Sequence, residues 1–208
     1  MWPVIACAVA VLALLVAEWR DSRPGVWIAK PAASLAFLWV AVDAGALDSV
    51  YGRGILLGLV LCLAGDLLLI PRRRPAVFRA GVLAFLLGHV AYGLAFLRWP
   101  LSTVGLVAGG ALLVALLWVV WRWLAPRLPA DMVVPVRAYL LVIGAMATLA
   151  CGVSAAGGPW LIAAGALAFT ASDVSVARDR FVHEEFVNRA WGLPLYYAAQ
   201  VLLALSAG

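Results

Sequence analysis

Charge is scarce in this chain. Asp, Glu, Lys and Arg make up 12% of its 208 residues, half of the roughly 25% typical of soluble domains. No polar stretch is long enough to fold by itself, which excludes a soluble domain. Lysine is almost missing: Lys30 stands alone beside fourteen arginines. Histidine occurs twice, as His89 and His183, too few for a multi-histidine zinc hydrolase. Cys7, Cys62 and Cys151 lie within apolar runs and form no CxxC pair. Neither a disulfide framework nor a metal cluster is expected, and the three read as small buried hydrophobes. The first apolar run has no basic leader and is followed by Glu18-Trp19-Arg20-Asp21, so it is expected to be a retained helix rather than a cleaved signal. The net charge of +5 does not point to nucleic acid. The basic residues flank apolar runs, where they orient helices and meet anionic lipid.

What the chain has is apolar length, with 66% hydrophobic residues. A membrane helix needs about 20 of them in a row, and shorter runs are tolerated. Eight candidates follow, roughly 2–17, 28–47, 54–70, 79–97, 103–124, 133–152, 159–177 and 193–207, with Pro and Gly in the gaps. The eighth is short, and residues 181–191 before it are expected to form an interfacial helix. The expected fold is all-α, one polytopic membrane domain over residues 1–208 built as an eight-helix transmembrane bundle. Twelve of the fifteen basic residues fall in connections one, three, five and seven, and only Arg53 and Arg98 fall on the other side. By the positive-inside rule both termini should be extracytoplasmic. Abundant Arg, Ala and Gly hint at a GC-rich bacterial genome, hence a bacterial plasma membrane.

Two acids interrupt these runs. Asp66 lies in Leu61-Cys62-Leu63-Ala64-Gly65-Asp66, and Asp173 ends Gly165-Ala166-Leu167-Ala168-Phe169-Thr170-Ala171-Ser172-Asp173. An intramembrane ionisable residue is by default a functional-site hypothesis. Counting back from Arg72 and Arg178 puts Asp66 roughly 9 Å and Asp173 roughly 7–8 Å inside the same membrane edge. Lys30, Tyr139, Tyr196, Tyr197 and Gln200 fall in the same layer. If the carboxylates face each other, repulsion and desolvation leave one protonated and one ionised at neutral pH, the condition an acid–base pair needs. The alternative is a structural bond to a neighbouring helix or to Lys30. Lys30, followed by Pro31, reads either as a snorkelling lysine or as a counter-ion for a carboxylate or lipid phosphate. His89 and Tyr92, three residues apart on one helix, are a hydrogen-bonded core pair or site residues. Tyr196 and Gln200, four apart, are a belt residue with a helix–helix bond, or ligand contacts. His183 sits in a charged loop and reads as solvated. Small residues before an acid in both the third and the seventh helix hint at a four-plus-four repeat.

Together these pieces resemble the YhhN family of membrane proteins, whose animal relatives are lysoplasmalogenases. The matching residues are Lys30-Pro31, Gly65-Asp66, Phe85, Gly88-His89 and Tyr92, Tyr139 and Met146, Gly165-Ala166, Phe169, Ser172-Asp173, and Tyr196-Tyr197 with Gln200. The resemblance implies hydrolysis of the vinyl-ether bond of lysoplasmalogens to a fatty aldehyde and a glycerophospho-base, with Asp66 and Asp173 as catalytic candidates. Lys30, His89, Tyr92, Tyr139, Ser172, Tyr196, Tyr197 and Gln200 would contact or orient the substrate. The expected partners are a lysophospholipid and membrane lipid, with no metal or organic cofactor. The competing classes are a proton-coupled transporter or lipid-binding protein using the same acids as a relay, and a zinc-dependent lipid amidase built on His89.

Overall fold

The computed structural model describes residues 1–71 and 74–208. Among them it contains eight long helices: α1 (Trp2–Trp19), α2 (Arg23–Asp43), α3 (Val50–Leu69), α4 (Pro75–Phe96), α5 (Thr103–Leu124), α6 (Val133–Ala155), α7 (Trp160–Phe181) and α8 (Phe186–Leu205). Two short 3₁₀ turns, Ala125–Arg127 and Ala130–Met132, join α5 to α6. The molecule is a multi-pass membrane protein. Its helices turn Val9, Leu12, Ile28, Val104, Val107, Val114, Val119 and Leu141 outward, as lipid solvent allows and water would not.

Local chemistry sets the helix ends, and several differ from what hydropathy alone predicts. Ser22, Ser49 and Ser102 each accept a bond from the backbone N–H three residues on, at Gly25, Gly52 and Gly105. These N-caps satisfy orphan donors of the first turn. They start α2 at Arg23 rather than 28 and α3 at Val50 rather than 54. Pro75, the first residue of α4, starts that helix four residues before the expected 79. Gly45 and Gly157 adopt φ of 90° and 91° just beyond α2 and α6, the left-handed stop that glycine provides at no steric cost. The largest departure is α8. The expected interfacial segment and the short eighth span are one 20-residue helix from Phe186, and Phe181 belongs to α7. Seven helices, α1 to α7, are long and apolar enough to cross a membrane by length and composition. Helix α8 falls outside that set because its first turn carries Asn188 and Arg189.

Each helix packs on the next within α1–α2, α3–α4, α5–α6 and α7–α8. Further contacts close a ring in the order α2, α3, α4, α6, α7, α8 and back to α2. Helix α1 lies against α2 and α8 outside this ring, and α5 against α6. The main contacts repeat with a step of four: α2 with α3 as α6 with α7, α3 with α4 as α7 with α8, and α4 with α6 as α8 with α2. In this ring α3 and α7 are opposite walls. That places Asp66 and Asp173 across from each other.

Small residues let the walls close. A Cβ at Gly65 would stand 2.6 Å from Phe85 Cε2, and one at Gly58 would overlap the Tyr92 ring. Helices α3 and α4 can therefore meet only because glycine faces an aromatic at two levels. Gly192 of α8 has the same relation to Ser175 of α7, and close backbone approach of this kind is the usual basis of helix association in lipid.

Candidate active site

Asp66, 2% exposed on α3, is surrounded by donors. Ser34 Oγ donates to its Oδ2 at 2.7 Å and Tyr196 OH donates to the same oxygen at 2.7 Å. The Lys30 ammonium lies 3.4 Å from Oδ1. Lys30 and Ser34 are four residues apart on α2, so one helix face delivers both. Of the two readings of Lys30, the geometry brings about the carboxylate counter-ion. A second layer aligns the first: Tyr92 OH donates to Gln200 Oε1 at 2.8 Å, and Gln200 Nε2 donates to Tyr196 OH at 3.0 Å. The chain of donors runs from α4 through α8 and ends on Asp66. Tyr197 OH lies 3.2 Å from Ser34 Oγ. Because the single Ser34 proton goes to the carboxylate, Tyr197 is the donor of that pair. Charge-assisted bonds of this kind are about twice as strong as neutral ones, and together they fit an ionised Asp66.

Asp173, on α7, has a different environment. Tyr139 OH of α6 donates to Oδ2 at 2.7 Å, and His89 Nε2 of α4 approaches the same oxygen at 3.9 Å. Its side chain keeps 21% of its surface exposed. The hydroxyls of its neighbours are turned to their own helix: Thr170 to the Ala166 carbonyl, Ser172 to that of Phe169 and Ser175 to that of Ser172. The His89 ring stands edge-on to Phe169, with centroids 4.5 Å apart, and to Tyr139 at 5.2 Å.

Both acids line one cavity of about 970 Å³. Residues from all four odd-numbered connections border it, including Asp21, Arg74, Met132 and His183, so it opens toward the arginine-rich end of the bundle. Arg72 and Arg73, the other arginines of the third connection, lie outside the described residues. The wall has two characters. The α1–α2 corner supplies Glu18 and Arg23, the end of α7 and the start of α8 supply Asp179 and Arg189, and α4, α5 and α6 supply Val82, Leu117, Val136 and Leu140. These groups sit on opposite sides of the ring, with the carboxylates between them. Arg189 ties the polar side together, reaching Asp179 at 3.3 Å, Glu184 at 3.1 Å and Glu18 at 3.7 Å.

Of the residues expected at the site, Asp66, Asp173, Lys30, Tyr139, Ser172 and Tyr196 line the cavity. His89, Tyr92, Tyr197 and Gln200 do not. Each is at most 2% exposed and stands one layer back, where it orients a lining residue or a carboxylate instead of facing the cavity. Ser34 escaped the sequence reading. The available signal was its place four residues after Lys30 on a helix face already carrying a charge.

A model of the YhhN family matches residues 25–207. The chain belongs to the YhhN family. Among relatives of this YhhN-family chain, lysoplasmalogenase TMEM86B of Homo sapiens is 38% identical over 179 residues, which is 82% of this chain and 69% of the relative. Lysoplasmalogenase TMEM86A of Homo sapiens is 30% identical over 201 residues, 91% of this chain and 82% of the relative. The Bos taurus TMEM86A is 35% identical over 159 residues, 74% of this chain, and the match spans 64% of that protein's length. No solved structure matches the chain. No group of three or more His, Cys, Asp or Glu among the described residues is placed to hold a metal ion. What the site offers is a donor-rich carboxylate opposite a donor-poor one.

Proposed function

We propose that this YhhN-family protein is a lysoplasmalogenase that hydrolyses the vinyl-ether bond of a lysophospholipid by acid–base catalysis with two aspartates. The observation that carries this reading is the unequal pair of carboxylates on opposite walls of one cavity. In the reaction, a proton adds to the β-carbon of R–CH=CH–O–R′ and gives an oxocarbenium ion. Water adds to the cationic carbon and loses a proton, and the hemiacetal collapses to R–CH₂–CHO and HO–R′. One water is consumed and the catalytic proton is returned. The step uses a general acid, a fixed anion near the developing positive charge, and a base for the water, as the similar cation does in glycoside hydrolysis.

Asp173 serves as the acid: among the described residues it accepts the Tyr139 hydroxyl alone, and it keeps surface on the cavity. Asp66 serves as the anion, held by Lys30, Ser34 and Tyr196; it takes the proton that the attacking water loses and gives it to the leaving oxygen as the hemiacetal collapses, while the hemiacetal hydroxyl gives its proton to Asp173. Fixed charges in a water-poor site contribute most where charge develops, and cost no reorganisation at that moment. Tyr139 and Tyr196 orient the carboxylates, while Ser172 lies beside the acid on the cavity wall. The lysolipid lies with its headgroup at the arginine-rich end, where Arg23 and Arg74 border the cavity, and its chain against the apolar α4–α6 side. The protein sits in a bacterial plasma membrane with its termini outside and the arginine-rich connections in the cytoplasm, as the basic-residue bias supports.

The test is aldehyde release from lysoplasmenyl-ethanolamine and lysoplasmenyl-choline by purified protein, beside Asp66→Asn and Asp173→Asn. Release by the parent and none by either variant is expected. Release that survives both substitutions would sink the two-carboxylate assignment, and none from the parent would sink the vinyl-ether reading.

A further inference from the structure

One buried side-chain polar atom among the described residues has no hydrogen-bond partner: His89 Nε2. The rest of that ring is fixed. Its Nδ1 lies 2.6 Å from the Phe85 carbonyl oxygen, which can only accept, so the ring proton is on Nδ1. A neutral imidazole then presents the Nε2 lone pair, an acceptor, to Asp173 Oδ2 at 3.9 Å. An ionised carboxylate is also only an acceptor. Two acceptors turned toward each other in a buried place repel, and neither recovers the hydrogen bonds it gave up to water. A proton on the Asp173 carboxyl group, donated toward Nε2, removes the conflict. Asp66 is the converse case, with two hydroxyls and an ammonium aimed at it and no lone pair opposing it.

We propose that His89 is a positioning residue that keeps a proton on the His89–Asp173 pair. It thereby makes Asp173, and not Asp66, the carboxyl group that starts each turnover loaded. His89 is 1% exposed and absent from the cavity wall, so it acts through Asp173. A half-turn of the Asp173 carboxyl group brings the proton from the Nε2 side to the cavity side. The use made of the proton rests on the function proposed above, but its presence does not.

The chain has two histidines, so ¹⁵N-histidine-labelled protein in lipid nanodiscs gives two sets of imidazole signals, and His183→Gln identifies those of His89. The expected result is a protonated Nδ1 with Nε2 accepting a hydrogen bond; a ring protonated on both nitrogens would leave Asp173 unloaded and overturn the proposal. In Asp173→Leu the Nε2 signal should move to that of a bare nitrogen. In Tyr139→Phe, which removes only the hydroxyl and keeps the pair, it should stay. An Nε2 signal indifferent to Asp173→Leu, a bare Nε2 in Tyr139→Phe, or a bare Nδ1 in the parent would each overturn the proposal. In turnover, His89→Phe keeps the ring contacts with Phe169 and Tyr139 and should lower kcat about 10²-fold, the low end for a positioned proton donor, with KM unchanged. A raised KM with kcat intact would make His89 a substrate contact and overturn the proposal equally. The nitrogen signals need no substrate. Expected signals in a protein that releases no aldehyde would overturn the vinyl-ether reading and leave the proton pair standing.

Discussion

Replacing Tyr196 with phenylalanine removes one oxygen and leaves the ring, with its contacts to Phe85, Phe169 and Tyr197. The oxygen takes part in two bonds, one donated to Asp66 and one accepted from Gln200. Hydrogen bonds between membrane helices contribute about 0.6 kcal/mol on average and about 1.7 at most. A carboxylate acceptor roughly doubles a neutral bond. That gives about 1.2 kcal/mol for Tyr196–Asp66 between α8 and α3, and the Gln200–Tyr196 bond, an i,i+4 pair within α8, adds about 0.5, together about 2 kcal/mol of stability. Tyr92→Phe removes one neutral bond to Gln200 and should cost about 0.6 kcal/mol. The two sites share Gln200, so the double variant should lose less than the sum by at least about 0.5 kcal/mol. Stability is read from SDS-driven unfolding in mixed micelles, and aldehyde release is followed on the same samples. Tyr196→Phe should lower kcat about tenfold, because about 1.4 kcal/mol of transition-state stabilisation corresponds to a factor of ten. Tyr92→Phe should lower it less. Additivity within about 0.3 kcal/mol would refute the continuous chain from α4 through α8 to Asp66.

Lys30→Met leaves a buried carboxylate without its cation and should destabilise the protein by about 3–5 kcal/mol in the same unfolding assay. Adding Asp66→Asn should recover most of that loss without restoring aldehyde release, because the amide oxygen still accepts from Ser34 and Tyr196. Gly192→Ala pushes a methyl group into Ser175 of α7, an overpacking cost of about 1–3 kcal/mol. The pair with Ser175→Gly should unfold nearer the parent, and if it does not, the α7–α8 contact is misassigned. For orientation, single cysteines at positions 157 and 185 are compared in cells with an impermeant maleimide. Position 157 should label from outside and position 185 only after permeabilisation. The reverse pattern inverts the topology.

The eight helices were legible because lipid enforces long apolar runs, and the arginines that mark the membrane edge led to two aspartates that line one cavity. Helix ends were less so. Ser22, Ser49 and Pro75 carried the starts of α2, α3 and α4, but the arginines beside Ser22 and Pro75 read as loop. The start of α8 was hidden for another reason. Asn188 is buried and bonded to Asp179 and to the His183 carbonyl, and Arg189 is spent on an ion cluster, so polar residues sit in a helix that hydropathy rejects. At the site, the residue types were visible and the pairings were not. A three-residue spacing puts His89 and Tyr92 near one face, yet the 60° between them sends His89 to Asp173 and Tyr92 to Gln200. Which carboxylate receives Lys30 depends on the ring order, and no local pattern encodes it.

The step-of-four repetition of helix contacts extends to the partners of the two acids. Four helices is an even number, so a unit of four that crosses at each helix ends on the side where it began. Asp66 takes its partners from α2 and α8, and Asp173 takes its own from the corresponding α6 and α4. The frame therefore holds two corresponding berths for an acid. A handful of side chains, not the backbone, tells them apart. Under the roles proposed above, exchanging the partner sets of the two berths is expected to swap donor and anion with no helix moved.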